Sequence, residues 1–321
     1  LTDKAVDGAA PGDPAVPAGP VVAIVGPTGS GKSAAAMAAV ERLHDVGLDV
    51  ELVAIDAFTV YRGLDIGTAT PGPADRARVP HHLVDALDPE EDCTVRWFQQ
   101  RARAVIADIA GRGAVPLLVG GSGLYYRAVV DAMVFPPTDP TVRERLEEAW
   151  RHDPAAAHQH LDSIDPAAAG RIDPLNLRRT VRALEVIELT GQPFSSFHRV
   201  WGDHESIYPG LTVIGVDLDR RDLAARLERR THDMLDHGWL EEARALRGRT
   251  LSDTAAQAIG YAELFAHLDG TLSWDDTVER IVIRTRQFAS KQRRWFRKDP
   301  RITWLSADDV PAAVEAAARL V

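Results

Sequence analysis

The feature that most restricts the fold of this chain is a glycine-rich loop between a β-branched run and an alanine-rich segment. Residues 21–25 (VVAIV) are apolar throughout, which is typical of a strand buried on both faces of a parallel sheet. Residues 26–33 (GPTGSGKS) follow the pattern G-x-x-x-x-G-K-[ST], and residues 33–44 predict a helix. A strand, a glycine-rich turn and a helix in this order predict a cradle for phosphate oxygens.

This loop has the chemistry that phosphate binding needs. Glycine turns let backbone N–H groups point inward, the helix N-terminus adds a partial positive charge, and Lys32 adds a full charge. The hydroxyl of Ser33 is the expected ligand of Mg²⁺. The pattern leaves open whether ATP or a diphosphate leaving group binds, and a glycine-rich turn without a ligand is the alternative. The residues predicted to bind the diphosphate are Gly26, Pro27, Thr28, Gly29, Ser30, Gly31, Lys32 and Ser33.

Strand and helix patterns alternate along the rest of the chain, which predicts a parallel sheet with crossover helices. Strand patterns occur at residues 50–56, 116–121 and 211–217, and helix patterns at 95–110, 220–237, 254–268 and 273–298. Residues 139–203 lack strand patterns and contain short helical segments, three of which open with Asp-Pro. We therefore expect an α/β fold, a P-loop NTPase-like parallel sheet flanked by helices and interrupted by an all-α insertion domain.

The expected domain boundaries follow from these patterns. Residues 21–138 and 204–321 would form the two parts of the core, and residues 139–203 the helical insertion. Residues 1–20 contain Pro and Gly at short intervals and no aromatic residue, which predicts a disordered tail.

Composition narrows the class of protein. The 321 residues are 45% hydrophobic and 26% charged, as in globular proteins, and no apolar run reaches the length of a membrane span. The single cysteine, Cys93, can form neither an internal disulfide nor a zinc site. A net charge of −10 argues against non-specific coating of nucleic acid. We expect a cytoplasmic protein and a monomer.

A carboxylate follows the second predicted strand. Asp56 ends the segment VELVAID, and the carboxyl ends of parallel strands are where such sheets bind ligands. Asp56 should therefore face the phosphate loop, where it could accept a proton from a nucleophile, bind Mg²⁺ or cap the next turn.

Several spaced segments behind the phosphate loop identify a family resemblance. They are DAFTVYRGLDIGTATP, VPHHLVDALDP, PLLVGGSGLYYRAVV, RRTVRALEV and QAIGYAE, and in this order they resemble the tRNA dimethylallyltransferases, or tRNA isopentenyltransferases, of the bacterial type without a zinc finger. The resemblance covers nearly the whole chain after residue 20. It implies transfer of a dimethylallyl group from dimethylallyl diphosphate to N6 of the adenosine immediately 3′ of the anticodon in tRNA, with release of diphosphate and with Mg²⁺ as cofactor.

The resemblance also implies roles for individual residues. Asp56 would hydrogen-bond the adenine amine and take its proton, Ser122 would supply a hydroxyl near the reacting groups, and Arg143 would lie at the entrance of the active site. The family commonly has Asp-Ser where this chain has Asp56-Ala57, so one hydroxyl contact is missing. The residues implied to contact tRNA are Asp56, Ala57, Phe58, Thr59, Ser122, Arg143, Arg178, Arg179, Thr180, Val181, Arg182, Gln257, Ala258, Ile259, Gly260 and Tyr261.

A basic helix near the C-terminus is a second candidate RNA surface. Residues 279–301 contain nine Lys or Arg and two acidic residues within an otherwise acidic chain. At helical spacing, Arg284, Lys291 and Arg294 share one face, while Ile281, Phe288 and Trp295 share another. A solvated surface is the simpler interpretation of such a basic run. Because the positive charge is concentrated here in an otherwise acidic chain, we favour binding of tRNA phosphates.

Two other functions compete with the prenyltransferase. A small-molecule kinase with ATP in the loop and Asp56 as base would explain the loop and the carboxylate but not the basic helix. A nucleotide-binding RNA-associated protein without transferase chemistry would explain the charge pattern but would leave Asp56 and Ser122 without a role.

Overall fold

The centre of the protein is a parallel sheet of six strands. A computed structural model describes residues 15–197 and 204–320. The strands are β1 (Pro20–Val25), β2 (Val50–Ile55), β3 (His81–His82), β4 (Val115–Gly120), β5 (Gly210–Val216) and β6 (Ile302–Leu305). Their order is β3-β2-β4-β1-β5-β6, and every neighbouring pair is parallel. This architecture confirms the predicted α/β class.

Fourteen helices are described around the sheet and in the insertion. They are α1 (Lys32–Asp45), α2 (Pro73–Arg78), α3 (Val95–Gly111), α4 (Gly123–Val130), α5 (Pro140–Trp150), α6 (Pro154–Ile164), α7 (Pro166–Ala169), α8 (Leu177–Thr190), α9 (Phe194–Phe197), α10 (Arg220–Asp236), α11 (Trp239–Leu246), α12 (Tyr261–Leu268), α13 (Trp274–Phe296) and α14 (Val310–Ala318), with a 3₁₀ turn at Ala255–Gln257. None of the helices in the described part of the chain is long and apolar enough to cross a bilayer.

Alternate residues of the central strand enter different layers of the core. Val21, Ala23 and Val25 pack in the cluster that includes α3, α4 and α13, whereas Val22 and Ile24 pack against α1 and α14. All five side chains are nearly or fully buried, as the continuous β-branched run predicts for a strand covered on both faces. The phosphate loop thus leaves a strand that is held rigidly from both sides.

The chain divides into two compact units. One comprises the residues up to Asp131 and from Ser206 onward, and the other is Ala132–Glu205. The helical unit begins before the expected residue 139, because its incoming segment packs on α8, where Arg182 donates to the carbonyls of Pro136 and Pro137 at 3.0 Å each. Within it, Asp139, Asp153 and Asp165 cap α5, α6 and α7, each followed by Pro, as the Asp-Pro pairs predict.

The sequence patterns were wrong in a few places. The expected helix at 254–268 is a 3₁₀ turn and α12, because Gly260 has φ of 97° and the ring of Trp239 occupies the space that a Cβ there would need. β1 begins at Pro20 rather than Val21, since Pro20 pairs with Gly210 and proline is tolerated at the first position of a strand. The expected tail otherwise lies mostly outside the described residues, as do residues 198–203 of the insertion.

Candidate active site

A cavity of about 450 Å³ opens at the carboxyl edge of the sheet, within the core unit. Its walls come from the phosphate loop, the end of β2, the Gly120–Gly121 turn after β4, and the helices α10 and α13. Strands β1, β2 and β4 are neighbours, so the segments that leave their carboxyl ends meet at one place. The topology therefore brings the loop and Asp56 together, as the sequence predicted.

The phosphate loop depends on glycine for its shape. Gly29 and Gly31 have φ of 77° and 100°, in the region that other residues rarely adopt. A Cβ at Gly29 would also lie 2.6 Å from the Cδ2 atom of Leu227 on α10. The hydroxyl of Ser30 is buried beneath the loop without a hydrogen-bond partner among the described residues. The loop thus forms a close-fitting turn that carries a free hydroxyl.

Asp56 lies across the cavity from this loop. One carboxylate oxygen accepts a hydrogen bond from the backbone N–H of Phe58 at 2.9 Å, and the other accepts from the Ser122 hydroxyl at 3.5 Å. Burial raises the pKa of Asp56, against the opposing effects of the Phe58 N–H and the charge of Lys32. A buried carboxylate with a raised pKa in a cleft is a typical proton acceptor.

Ser122 occupies the N-cap position of α4 without capping the helix. Its hydroxyl makes no bond to the first turn, although a serine there usually stabilises a helix by about 1 kcal/mol. It instead donates to Asp56 and accepts from the backbone N–H of Ala57 at 3.4 Å. The hydroxyl expected beside the reacting groups is therefore directed at the carboxylate.

Three basic side chains line the cavity around the phosphate loop. They are Lys32, Arg226 and Arg230. Burial and the neighbouring Arg230 lower the pKa of Lys32 to about 7, although Asp56 opposes this effect, and its ammonium group donates to the carbonyl of Pro27 at 2.7 Å. Burial, and to a lesser extent Arg226, lowers the pKa of Arg230. Cations this close together repel one another, so the site favours a ligand with several negative charges.

No sequence motif indicates the two arginines or a glutamine that also lines this cavity, Gln292. Arg226 and Arg230 are spaced i,i+4 on α10, and this spacing indicates that they share a helix face. No local pattern indicates that this face packs beside the phosphate loop, which is far away in the sequence. Gln292 on α13 is buried and bridges two walls of the cavity. Its carbonyl accepts from the N–H of Thr28 at 2.8 Å, and its amide donates to the carbonyl of Gly121 at 2.9 Å.

Several residues of the expected tRNA segments also line the cavity. Phe58, Thr59, Ala258 and Ile259 are among them, and the buried hydroxyl of Thr59 has no hydrogen-bond partner in the described part of the chain. Gln257 is exposed and donates to the carbonyl of Asp253. These side chains provide the mixed apolar and polar wall that a planar base and a short aliphatic group would need.

Tyr261 and Gly260 support the cavity wall. The Tyr261 hydroxyl donates to Glu242 at 2.6 Å, and the same carboxylate accepts the backbone N–H groups of residues 65–67. Tyr261 is 1% exposed, so its side chain is not available to a ligand. Within the segment 257–261, the residues that line the cavity are therefore Ala258 and Ile259.

The remaining predicted contacts lie in the helical unit. Arg143 and Arg182 both pair with the buried Glu185, at 3.0 and 2.7 Å. Arg178 and Arg179 are exposed, whereas Thr180 and Val181 are fully buried in that unit. The side chains of Thr180 and Val181 therefore do not reach the surface, and the exposed members of the expected tRNA segment are Arg178 and Arg179.

The predicted basic face of α13 is exposed, with one ion pair. Arg284 pairs with Glu263 of α12, while Lys291 and Arg294 are exposed and have no ion-pair partner among the described residues. Trp295 does not belong to the packed face as expected, since it remains 44% exposed over Gly123. The packed face instead contains Ile281, Ala289 and Phe296.

The residues also fit Mg²⁺. Ser33 lies in the first turn of α1 and lines the cavity. No group of three or more His, Cys, Asp or Glu among the described residues forms a cage for a metal ion. Mg²⁺ usually keeps several waters and binds one or two protein ligands together with substrate phosphates, which requires no such cage.

The protein therefore has a parallel α/β sheet of the P-loop NTPase-like class, with a cavity that brings a glycine-rich loop, a buried carboxylate and two arginines together. A family model described as IPP transferase matches residues 59–299. The chain belongs to this family.

Individual relatives agree with this assignment. A tRNA dimethylallyltransferase of Bifidobacterium longum is 49% identical over 289 residues, covering 89% of this chain and 86% of the relative. The crystal structure of the full-length tRNA isopentenylpyrophosphate transferase of Bacillus halodurans is 36% identical, with a TM-score of 0.66 over 92% of this chain and 94% of that one. A eukaryotic dimethylallyltransferase acting on tRNA is 26% identical, with a TM-score of 0.78 over 93% and 77%.

Proposed function

We propose that this protein transfers a dimethylallyl group from dimethylallyl diphosphate to N6 of the adenosine immediately 3′ of the anticodon in tRNA and releases diphosphate. The observation that carries the proposal is that Asp56, which accepts a hydrogen bond from Ser122, lines one cavity together with the phosphate loop. A family of transferases whose members are named for tRNA and the dimethylallyl group supports the choice of substrates.

The reaction forms a bond between N6 and the first carbon of the allyl group and breaks the bond from that carbon to the diphosphate oxygen. The N6 lone pair is delocalised into the ring, so the amine is a weak nucleophile that needs a positioned base. Asp56 accepts the proton that N6 loses, and its raised pKa suits this role. Ser122 orients the carboxylate from its other side.

The leaving group takes the electron pair and gains negative charge on oxygen. Lys32, Arg226 and Arg230 surround the place where this charge develops, and the loop N–H groups add to them. The N–H of Thr28 already donates to Gln292 and that of Ser30 to the carbonyl of Pro27, so the diphosphate relies on the N–H groups of Gly29 and of residues 31–33. Bound Mg²⁺, with Ser33 as its protein ligand, would neutralise part of the diphosphate charge.

The target base must leave its stack to reach the carboxylate. Unstacking costs a few kcal/mol and is least costly in a single-stranded loop, which an anticodon loop provides. A tRNA substrate implies a cytoplasmic location. That location, the monomeric state and any binding of ATP stay predictions.

The test is mass spectrometry of nucleosides from unmodified tRNA after incubation with the protein, Mg²⁺ and dimethylallyl diphosphate, with ATP as the parallel donor. We expect a dimethylallyl mass gain on adenosine, and none when guanosine replaces the adenosine beside the anticodon. ATP consumption without any modified adenosine would favour a kinase and overturn the proposal.

Asp56→Asn tests the role of the base. This variant keeps the shape and the acceptor oxygen but cannot take the proton, so the single-turnover rate should fall by about 10²- to 10⁴-fold with little change in tRNA affinity. A variant that turns over at the wild-type rate would exclude Asp56 as the proton acceptor.

A further inference from the structure

A second cleft in the core unit lies between α10 and α13, and half of the residues that line it are arginines. Its volume is about 560 Å³, and its charged side chains are Arg220, Arg286, Arg293, Arg294 and Arg297. Leu223, Leu227 and Ala289 form its apolar floor. We name this cleft the arginine groove.

The positive charge of the arginine groove is only partly neutralised. Asp217, at the carboxyl end of β5, accepts from both Arg293 and Arg297 at 2.8 Å, and Glu228 accepts from Arg286 at 2.6 Å. Arg220 and Arg294 have no ion-pair partner among the described residues. Five guanidinium groups therefore share two carboxylates, which leaves an excess of positive charge on a protein with a net charge of −10.

Guanidinium hydrogen atoms in the groove are also left without acceptors. The Nε atom of Arg286 and the Nη1 atom of Arg293 are buried and have no hydrogen-bond partner in the described part of the chain. A buried donor without a partner destabilises the protein, and an anion in the groove would give these donors an acceptor. The planar fork of arginine matches the oxygens of a phosphate, so phosphate is the class of ligand that fits.

The groove adjoins the reaction cavity. Leu227 lines both, and its neighbour Arg226 faces the phosphate loop. When a base of a polynucleotide occupies the cavity, the backbone on either side must cross the surrounding surface, and the groove gives that surface a matching charge. A free nucleotide would not need a second cationic cleft beside the cavity.

We propose that the arginine groove binds backbone phosphates of the RNA substrate next to the modified nucleotide. This inference rests on the proposed function for the identity of the RNA. It extends the RNA surface from the outer face of α13 onto α10, where no sequence motif indicated a contact. Arg220 is the most diagnostic residue because it belongs to α10 and lines only the groove.

The experiment compares tRNA binding by Arg220→Gln, Arg220→Glu and the matched control Arg229→Gln over a range of salt concentrations, without a prenyl donor. Arg229 is an exposed arginine of the same helix that lines neither cavity. We expect Arg220→Gln to lower the affinity about 3- to 10-fold near 0.1 M salt and to reduce the slope of log K against log salt by about 0.9, the value for one lost phosphate contact. Arg220→Glu should weaken binding further, and Arg229→Gln should bind like the wild type.

Two results would overturn the proposal. One is a slope for both Arg220 variants equal to that of Arg229→Gln. The other is a change in ATP binding without a change in tRNA binding, which would assign the groove to a free nucleotide. Diphosphate affinity, measured in parallel, should be unchanged in all three variants and confirms that they fold. Groove-dependent tRNA binding by a wild-type protein that prenylates no adenosine would overturn the proposed activity and leave this inference standing.

Discussion

Gln292 connects two backbone turns that are far apart in the sequence. A single amide fixes the N–H of Thr28 in the phosphate loop and the carbonyl of Gly121 in the turn before Ser122. The distance between the phosphate loop and the turn before Ser122 therefore depends on one side chain of α13. Gln292 is in this sense a positioning residue.

Gln292→Met should disturb this geometry without changing the size of the side chain much. It leaves a buried N–H and a buried carbonyl unpaired, each at a cost of about 1–3 kcal/mol, so we expect a lower free energy of unfolding and roughly tenfold weaker diphosphate binding. Chemical denaturation and calorimetric titration with diphosphate measure the two effects. Gln287→Met, an exposed position on the same helix, is the control and should change stability by less than about 0.5 kcal/mol. Equal behaviour of the two variants would exclude the bridging role.

We expect diphosphate binding to depend on pH through Lys32. The pKa of about 7 in the free protein means that the ammonium group is charged below pH 7 and increasingly neutral above it. A bound polyanion favours the charged form, so binding takes up a proton when the pH is above the pKa of Lys32. The affinity should therefore fall as pH rises through 7, by up to about tenfold per pH unit.

Calorimetry between about pH 6 and pH 9, with Lys32→Met as reference, measures this effect. Diphosphate ionises in the same range, but equally for both proteins, so the difference between their profiles reports Lys32. Parallel profiles would show that Lys32 keeps its ordinary pKa.

At the scale of elements, the sequence predicted those helices and strands that are specified by residue spacing and capping within a short segment. The phosphate loop with its strand and helix, the capped helices after Asp139 and Asp153, and α13 all follow from short-range spacing and capping chemistry. β3 and β6 have two and four residues, too few for a periodic pattern, and they exist because longer strands beside them offer free edges. The break at Gly260 depends on the ring of Trp239, and no local sequence pattern predicts that this ring packs beside Gly260.

The same distinction applies to the site. The place of Asp56 could be predicted because the carboxyl ends of neighbouring parallel strands, and therefore Asp56 and the phosphate loop, lie at the same edge of the sheet. Arg230 and Gln292 could not, since they reach the loop only after α10 and α13 fold back over the sheet edge. The burial of Thr180 and Val181 likewise depends on how α8 packs, which the motif does not contain.

At the scale of the whole molecule, the helical unit is inserted at a point that the core unit fixes firmly. Asp131 and Ser206 form an antiparallel bridge, and the N–H of Ile207 donates to the carbonyl of Val130 at 2.8 Å. Arg103 and Arg301 hold Asp131 through its carbonyl and its carboxylate, at 2.6 Å each. The two ends of the insertion are therefore adjacent and anchored in the core itself.

This geometry predicts that the core folds without residues 132–205. Partners in an antiparallel bridge are close enough for a turn of about two glycines to connect Asp131 to Ser206. The shortened protein should unfold cooperatively and bind diphosphate within about threefold of the full chain, because the cavity is built from core residues alone. Its tRNA affinity should fall at least about tenfold, because the exposed Arg178 and Arg179 are removed.

The double variant Arg178→Gln/Arg179→Gln of the full chain separates the effect of charge from the effect of folding. It should lose tRNA affinity and keep diphosphate binding. A shortened core that aggregates or fails to bind diphosphate would show that the insertion supports the site through the fold.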